Sequence, residues 1–284
     1  MSLPNLFGEV IATDPGYLTQ YDWIVINSSG GKDSQAMLDL VCERAKAENV
    51  MSRVVVVHAD LGRVEWQGTR EIAQSQAECY GVPFVAVWRK QGDLLNQIES
   101  RGKFPDAARR YCTSDHKRAQ VHRLLTRLTD KFRAPYGPYS LKVRPCRILN
   151  CLGMRAEESP RRSKMKQMEP DTAASNGRRE VTRWLPIHDW KETQVWECIR
   201  SCRSKEHIHY AYALGMPRVS CCFCIFAPRE ALIIAGRHNP ELLAEYVRVE
   251  EKIGHKFRQN LTMAQVKAAV DAGENPQEVP TWAM

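Results

Sequence analysis

Trp23-Ile24-Val25-Ile26-Asn27 runs directly into Ser28-Ser29-Gly30-Gly31-Lys32-Asp33-Ser34. The first four residues are apolar, three of them β-branched, without a polar alternation, the pattern of a strand covered on both faces. From Asp33 to Asn49 the apolar residues Met37, Leu38, Val41 and Ala45 recur at helical spacing, so a helix follows the bend. A bend of this kind at the carboxyl edge of a parallel sheet is where open α/β folds bind their ligands. Its two glycines let the backbone turn tightly and bring N–H groups against an anion. The helix adds its positive end at the same spot, Lys32 a full charge, and Ser28, Ser29 and Ser34 three hydroxyls. A plain strand-to-helix turn tolerates a glycine pair but has no use for the lysine and the hydroxyls. The spacing is not that of the G-x-x-x-x-G-K-[ST] loop.

Working outward, the same alternation continues. Val54 to His58, Pro83 to Trp88 and Arg147 to Leu152 read as strands, and Thr69 to Tyr80, Leu94 to Ser100 and Asp115 to Lys131 as helices. The expected fold class is α/β, a doubly wound parallel sheet with a C-terminal, mostly helical subdomain. Residues 1–183 are assigned to the nucleotide-binding α/β domain and 184–284 to the helical part. Arg161 to Arg179 is polar, basic and unpatterned and reads as a mobile loop near the substrate.

No apolar run in the 284 residues reaches the ~20 that a membrane helix needs. The N-terminal MSLPNLFGEVIATDPGYLTQ has acids and a proline where a secretory leader has a basic start and an apolar block. The expectation is a cytoplasmic protein with no membrane partner. A net charge of +8 favours an anionic partner, a nucleotide or a nucleic acid, although solubility alone would also account for it.

The bend resembles the SGGxDS loop of the PP-loop ATP pyrophosphatases, the superfamily that includes the phosphoadenosine phosphosulfate (PAPS) reductase-like enzymes. Further segments in the same order carry the resemblance: His58-Ala59-Asp60-Leu61-Gly62, with Leu61 where the family has a hydroxyl residue; Arg110-Tyr111-Cys112-Thr113 with Lys117; Gly153-Met154-Arg155-Ala156-Glu157-Glu158-Ser159-Pro160-Arg161-Arg162; and Trp184-Leu185-Pro186-Ile187 with Asp189-Trp190 and Val195-Trp196. In motif the chain is most similar to the ATP-dependent iron–sulfur sulfurtransferases. The resemblance implies ATP and Mg²⁺ held by Ser28, Ser29, Gly30, Gly31, Lys32, Asp33, Ser34, Asp60, Arg155, Glu158 and Arg162, with Lys32, Asp33 and Arg155 the candidate catalytic residues. Arginine forks suit phosphate oxygens, Arg155 more than the solvated Arg161. Asp60 could also be only a turn residue, and Glu158 an arginine's ion-pair partner.

Ten cysteines in a chain expected in a reducing compartment point to ligands or core filler rather than disulfides. Cys42, Cys79, Cys198 and Cys202 fall in helical patterns and read as core, while Cys146 and Cys151 flank a strand. Cys112, Cys221, Cys222 and Cys224 stand in loop-like sequence. Cys221-x-x-Cys224 alone fits zinc, an iron–sulfur cluster or a redox dithiol, and His207 and His209 could complete a zinc site. The family resemblance implies Cys112, Cys221 and Cys224 as ligands of a 4Fe-4S cluster, with Cys222 either a fourth ligand or a buried small side chain.

Three functions compete. The first is ATP-dependent adenylation of an acceptor, a nucleic acid by family habit, coupled to sulfur transfer from a donor such as a cysteine desulfurase. The second is sulfonucleotide reduction to sulfite, which needs a nucleophilic cysteine on a C-terminal tail, and Glu274 to Met284 has none. The third is a non-catalytic ATP-sensing or cluster-carrying subunit. A homodimer is a candidate assembly.

Overall fold

The computed structural model describes residues 15–137, 143–219 and 221–280. Residues 1–14 and 281–284, which carry part of the leader reading and the end of the cysteine-free tail, and Ser220 lie outside the described residues. The chain runs β1 (Trp23–Ser28), α1 (Lys32–Ala47), β2 (Val54–Asp60), α2 (Thr69–Glu78), β3 (Phe84–Trp88), α3 (Leu94–Arg101), a short α4 (Tyr111–Thr113), α5 (Ala119–Arg133) and β4 (Cys146–Leu152). It continues through a short α6 (Pro160–Ser163), β5 (Met168–Pro170), β6 (Arg179–Trp184), α7 (Glu192–Ser201), α8 (Arg229–His238), α9 (Pro240–Ile253) and α10 (Met263–Asp271).

The strands form one sheet in the order β3-β2-β1-β4-β6-β5, parallel except for β5. The order reverses direction between β1 and β4, which makes the carboxyl ends of those two strands the switch point. Burial on both faces explains the unbroken apolar runs. Ile24, Ile26, Val54, Val56, Leu149 and Cys151 face a core shared with α1, while Val25, Val55, Val57, Cys146 and Ile148 face Leu124 and Leu125 of α5. The period of two along each strand therefore divides one hydrophobic stretch between two cores. Cys146 and Cys151 lie inside β4 rather than beside it, on opposite faces.

The C-terminal helices divide by packing. Val195, Cys198 and Ile199 of α7 enter the α1 side of the sheet's core. The helices α8, α9 and α10 enclose a separate core with Leu94, Leu95 and Ile98 of α3 and the cysteine segment.

Arg161 to Arg179 is structured, against the expectation of a mobile loop. It contains most of α6, all of β5 and the first residue of β6. The reason is that the side chain buried at the start of β6 is an arginine. Arg179 Nε donates to the Ala174 carbonyl at 2.7 Å and Nη1 to Thr126 Oγ1 at 2.7 Å, so a polar residue occupies a core position. Asp115 to Lys131 begins earlier than its sequence pattern, with Tyr111–Thr113 followed by a π-helical turn over Ser114–Arg118.

Gly153, just past β4, lets that strand's exit lie against the first turn of α1. A Cβ there would meet the Asp33 carbonyl oxygen at 2.9 Å. Gly153→Ala should therefore cost about 1–3 kcal/mol, read by urea denaturation, because the obstacle is backbone. An unchanged midpoint would show that the junction is slack.

Candidate functional site

The bend is held by its own residues. Gly30 has φ +73°, and a Cβ there would meet the Thr69 carbonyl oxygen at 3.1 Å, so both conformation and space require glycine. Ser28 Oγ accepts from the Gly30 amide at 3.2 Å, and Ser34 Oγ accepts from the Ser29 amide at 3.1 Å while donating to the Gly31 carbonyl at 2.8 Å. The Lys32 amide donates to the Tyr212 hydroxyl at 2.7 Å. The groups expected to cradle an anion thus meet protein hydroxyls. Lys32 is buried and its Nζ donates to the Pro217 carbonyl at 2.7 Å, with Glu192 at 3.4 Å and Asp33 at 3.7 Å. A segment around Tyr212 to Val219 lies over Gly31, where an added Cβ would stand 3.1 Å from the Tyr212 hydroxyl and 3.2 Å from Val219.

At the switch point an ion network joins the bend to the exit of β4. Arg155 is 3% exposed, and its Nε donates to Asp33 Oδ1 at 2.6 Å. It also pairs with Glu157, and with Glu192 at 3.9 Å. Burial opposes its charge, but Asp33 and the two glutamates Glu157 and Glu158 outweigh burial and raise its pKa. Glu158 accepts from the Arg155 amide at 2.9 Å and pairs with Arg162 and, at 3.3 Å, with Arg218. Lys32, Arg155, Arg162 and Arg218 are thus matched by Asp33, Glu157, Glu158 and Glu192. The Asp33–Arg155 and Glu158–Arg162 pairs are largely buried, and such pairs are costly to break from one side only.

The sequence-predicted residues Ser28 to Ser34, Arg155, Glu158 and Arg162 are therefore brought together. Asp60 stands one strand away, where its Oδ1 accepts from the Gly62 amide at 2.8 Å and Arg70 lies 3.8 Å off, the turn role that was its alternative. Arg161 is exposed. Sequence reading missed Tyr212, Glu192, Pro217 and Arg218. Glu192 alone had a signal, since it opens the helix after the Asp189-Trp190 pair.

The cysteine loop is fastened to the segment after β2: Glu65 bridges Cys221 in antiparallel fashion, and the Cys222 amide donates to the Val64 carbonyl at 2.9 Å. Cys112 sits in α4, and the neighbouring Arg110 stacks on Phe226 at 4.4 Å. Cys112, Cys221 and Cys224 pack against one apolar cluster. Burial raises the pKa of Cys221 and Cys224, Cys112 adds to the rise, and Lys117 opposes it in both. Burial, then Glu65, pushes Cys222 to about 12, and it sits inside the core as a small side chain. Among the described residues no group of three or more His, Cys, Asp or Glu is arranged to hold a single metal ion. The Cys/His zinc alternative also loses His209. Its Nε2 meets Thr69 Oγ1 at 2.9 Å, its Nδ1 accepts from the Ala211 amide, and burial lowers its pKa to about 4.

His58 links the two loops. Its Nδ1 is 3.0 Å from the Ser28 carbonyl oxygen and its Nε2 3.1 Å from Glu65 Oε2. Burial lowers its pKa, but the Glu65 contact outweighs burial and the net shift is upward from 6.5. The stability this pair adds is present in full below about 6.5 and is lost as pH rises through the higher folded value. Melting temperature should therefore fall across that window by an increment that His58→Gln lacks. Parallel pH curves for the two proteins would refute the assignment.

The family model for the phosphoadenosine phosphosulfate reductase domain matches residues 23–227. Among solved structures, Candida glabrata FMN adenylyltransferase in complex with FAD and inorganic pyrophosphate is similar at 14% identity and a TM-score of 0.42, covering 73% of this chain and 59% of that one. The same enzyme with FMN and the ATP analogue AMPCPP gives 15% identity and a TM-score of 0.41, covering 70% and 55%. This chain thus spans less than two thirds of those proteins' length. No curated protein sequence matches it. With strands β1 to β6, the switch-point bend and the cysteine loop all inside the matched span, the chain belongs to the phosphoadenosine phosphosulfate reductase domain family.

Proposed function

We propose that this is an ATP-pyrophosphatase-type sulfurtransferase. An acceptor nucleophile attacks the α-phosphorus of ATP, the bond to the β-phosphate oxygen breaks, and pyrophosphate leaves. A sulfide-level sulfur nucleophile then displaces AMP from the adenylated acceptor. The observation that carries the reading is the convergence of Lys32 and Arg155 on one glycine bend at the β1/β4 switch point. A polyphosphate arriving there takes the Lys32 amide from the Tyr212 hydroxyl and Lys32 Nζ from the Pro217 carbonyl. Lys32 then offsets charge on the departing pyrophosphate, and Arg155 orients the α-phosphate while Asp33 holds its fork. Mg²⁺ characteristically uses one or two carboxylates together with substrate phosphates, and Asp33 and Glu158, two of the four carboxylates in this network, are the ones that would hold it.

The soft thiol donors of Cys112, Cys221 and Cys224 suit iron–sulfur chemistry better than a hard ion. A 4Fe-4S cluster held by them would supply the sulfur-activating centre when bound. The buried thiols are poor thiolates by themselves, so ligation would be what deprotonates them. The excess of basic residues favours a nucleic-acid acceptor, and a cysteine desulfurase suits the sulfur donor. The proposed setting is cytoplasmic, and a homodimer is the assembly to test.

Anaerobically prepared protein incubated with Mg²⁺ and ATP, together with candidate acceptors, should release pyrophosphate. Lys32→Ala should cut that release by about 10²-fold or more. Parallel incubation with adenylyl sulfate and phosphoadenylyl sulfate separates the readings: sulfite without pyrophosphate restores the reductase, and nucleotide binding without either product makes the chain a non-catalytic subunit. Iron and acid-labile sulfide should co-purify with the protein and fall in Cys112→Ser, whereas a colourless zinc protein would overturn the cluster.

A further inference from the structure

The helix α5 carries its charges in an arrangement that works against its own stability. Its inner side is ordinary: Val121, Leu124, Leu125 and Leu128 are buried against the sheet. Its outer side exposes Arg123, Arg127 and Lys131, one helical turn apart, and Arg118 is exposed at the N-cap. Successive turns therefore set like charges about 6 Å apart along the axis. Pairs of like sign at this i,i+4 spacing destabilise a helix. Arg118 also stands at the positive end of the helix dipole, and the first turn holds no acid to offset it.

None of the four cations makes an ion pair among the described residues. Arg123 Nη1 donates to the neutral Gln120 Oε1 at 2.8 Å, and Lys131 Nζ lies over the Trp23 ring at 5.2 Å. Asp130 is the one acid in α5, and Arg178 holds it at 2.8 Å. Other helices use the same spacing for opposite charges. Arg44 meets Glu48 at 3.0 Å in α1, and Lys267 meets Asp271 at 2.6 Å in α10. Solubility is served equally well by such mixed pairs. A helix face that repels itself when empty is relieved by a polyanion laid along it.

The shape of the stripe selects the polyanion. From Arg118 to Lys131 it covers about 20 Å with cations at each turn, which suits a polymer whose charges recur at a fixed interval. No large apolar side chain is exposed on α5, so the face has nothing to insert into a lipid surface. The stripe also has a definite origin. The residue before Arg118 is Lys117, whose charge reaches Cys221 and Cys224, so the cations lead away from the thiols along the outside of the sheet.

We propose that the outer face of α5 is a docking surface for nucleic acid, with Arg118, Arg123, Arg127 and Lys131 on its backbone phosphates. Contacts of this kind fix position and carry no sequence preference. The proposal rests on the function above only in making the docked nucleic acid the acceptor; docking itself is measured without ATP.

The test is anisotropy of a short labelled DNA duplex of mixed sequence, titrated with the whole protein across a salt series. For wild type, log affinity should fall against log salt with a slope of about −3 to −4, the value for four phosphates. The double variant Arg123→Ala/Arg127→Ala should flatten that slope by about 2 and weaken binding at low salt at least about tenfold. It should melt no lower than wild type, because it removes repulsion; a lower melting temperature would make the two arginines structural and overturn the proposal. Lys252→Ala/Lys267→Ala removes the same charge from α9 and α10 and should leave the slope unchanged. Equal flattening by the two double variants would mean that net charge alone is read, and equal slopes for wild type and the α5 variant would mean that α5 is not the surface. Either result overturns the proposal. So does displacement of the duplex by polyglutamate at equal charge concentration, which would make the partner an acidic polypeptide, or by vesicles of anionic lipid. Pyrophosphate release with equal slopes would remove this surface and leave the adenylation reading standing. The flattened slope in a protein that releases no pyrophosphate would do the reverse.

Discussion

The buried contact between Asp33 and Arg155 organises the site. It ties the first turn of α1 to the exit of β4, two elements 122 residues apart in sequence, across the gap where the sheet reverses its winding. Neither charge is tolerable there without the other. Lys32 and Glu192 add a second cation and a second carboxylate, so the switch point holds dense charge with little local excess. Such a balance lets a polyanion enter by exchanging partners rather than by confronting bare charge, and it keeps the bend ordered in the meantime.

The cover over that bend has a further role. Tyr212, Pro217 and Val219 precede Cys221 and Cys224 on one continuous stretch, and His58 with Glu65 connects the same two regions from below. What happens at the Lys32 amide is thus mechanically close to the thiols. The residues proposed for phosphate and those proposed for sulfur thus share a short length of backbone.

Much of this was legible in the sequence because it is local. The strand, bend and first helix are written in consecutive residues, and β1, α1, β2, α2, β3 and α3 fall within three residues of their expected limits. The residues of the ion network were readable as types, but their pairing was not, since Arg155 was read toward phosphate and its contact with Asp33 spans 122 residues. Tyr212 was invisible: its hydroxyl reaches Lys32 over a separation of 180 residues, and no pattern around it marks that contact. The edge pair β5 and β6 was hidden for a different reason. Periodicity reads hydrophobicity, and Arg179 fills an inward position with a guanidinium satisfied by carbonyl and hydroxyl oxygens.

That edge also limits how the sheet can grow. The Leu185 amide donates to the Gln167 carbonyl and the Asp171 amide to the Val181 carbonyl, so the odd-numbered backbone groups of this stretch face β6 and the even-numbered ones face outward. Pro170 is even-numbered, and on the side where an incoming chain would seek a donor it has no N–H. The rim closes by chemistry, in a strand three residues long, and needs no covering helix to discourage unwanted partners from lengthening it.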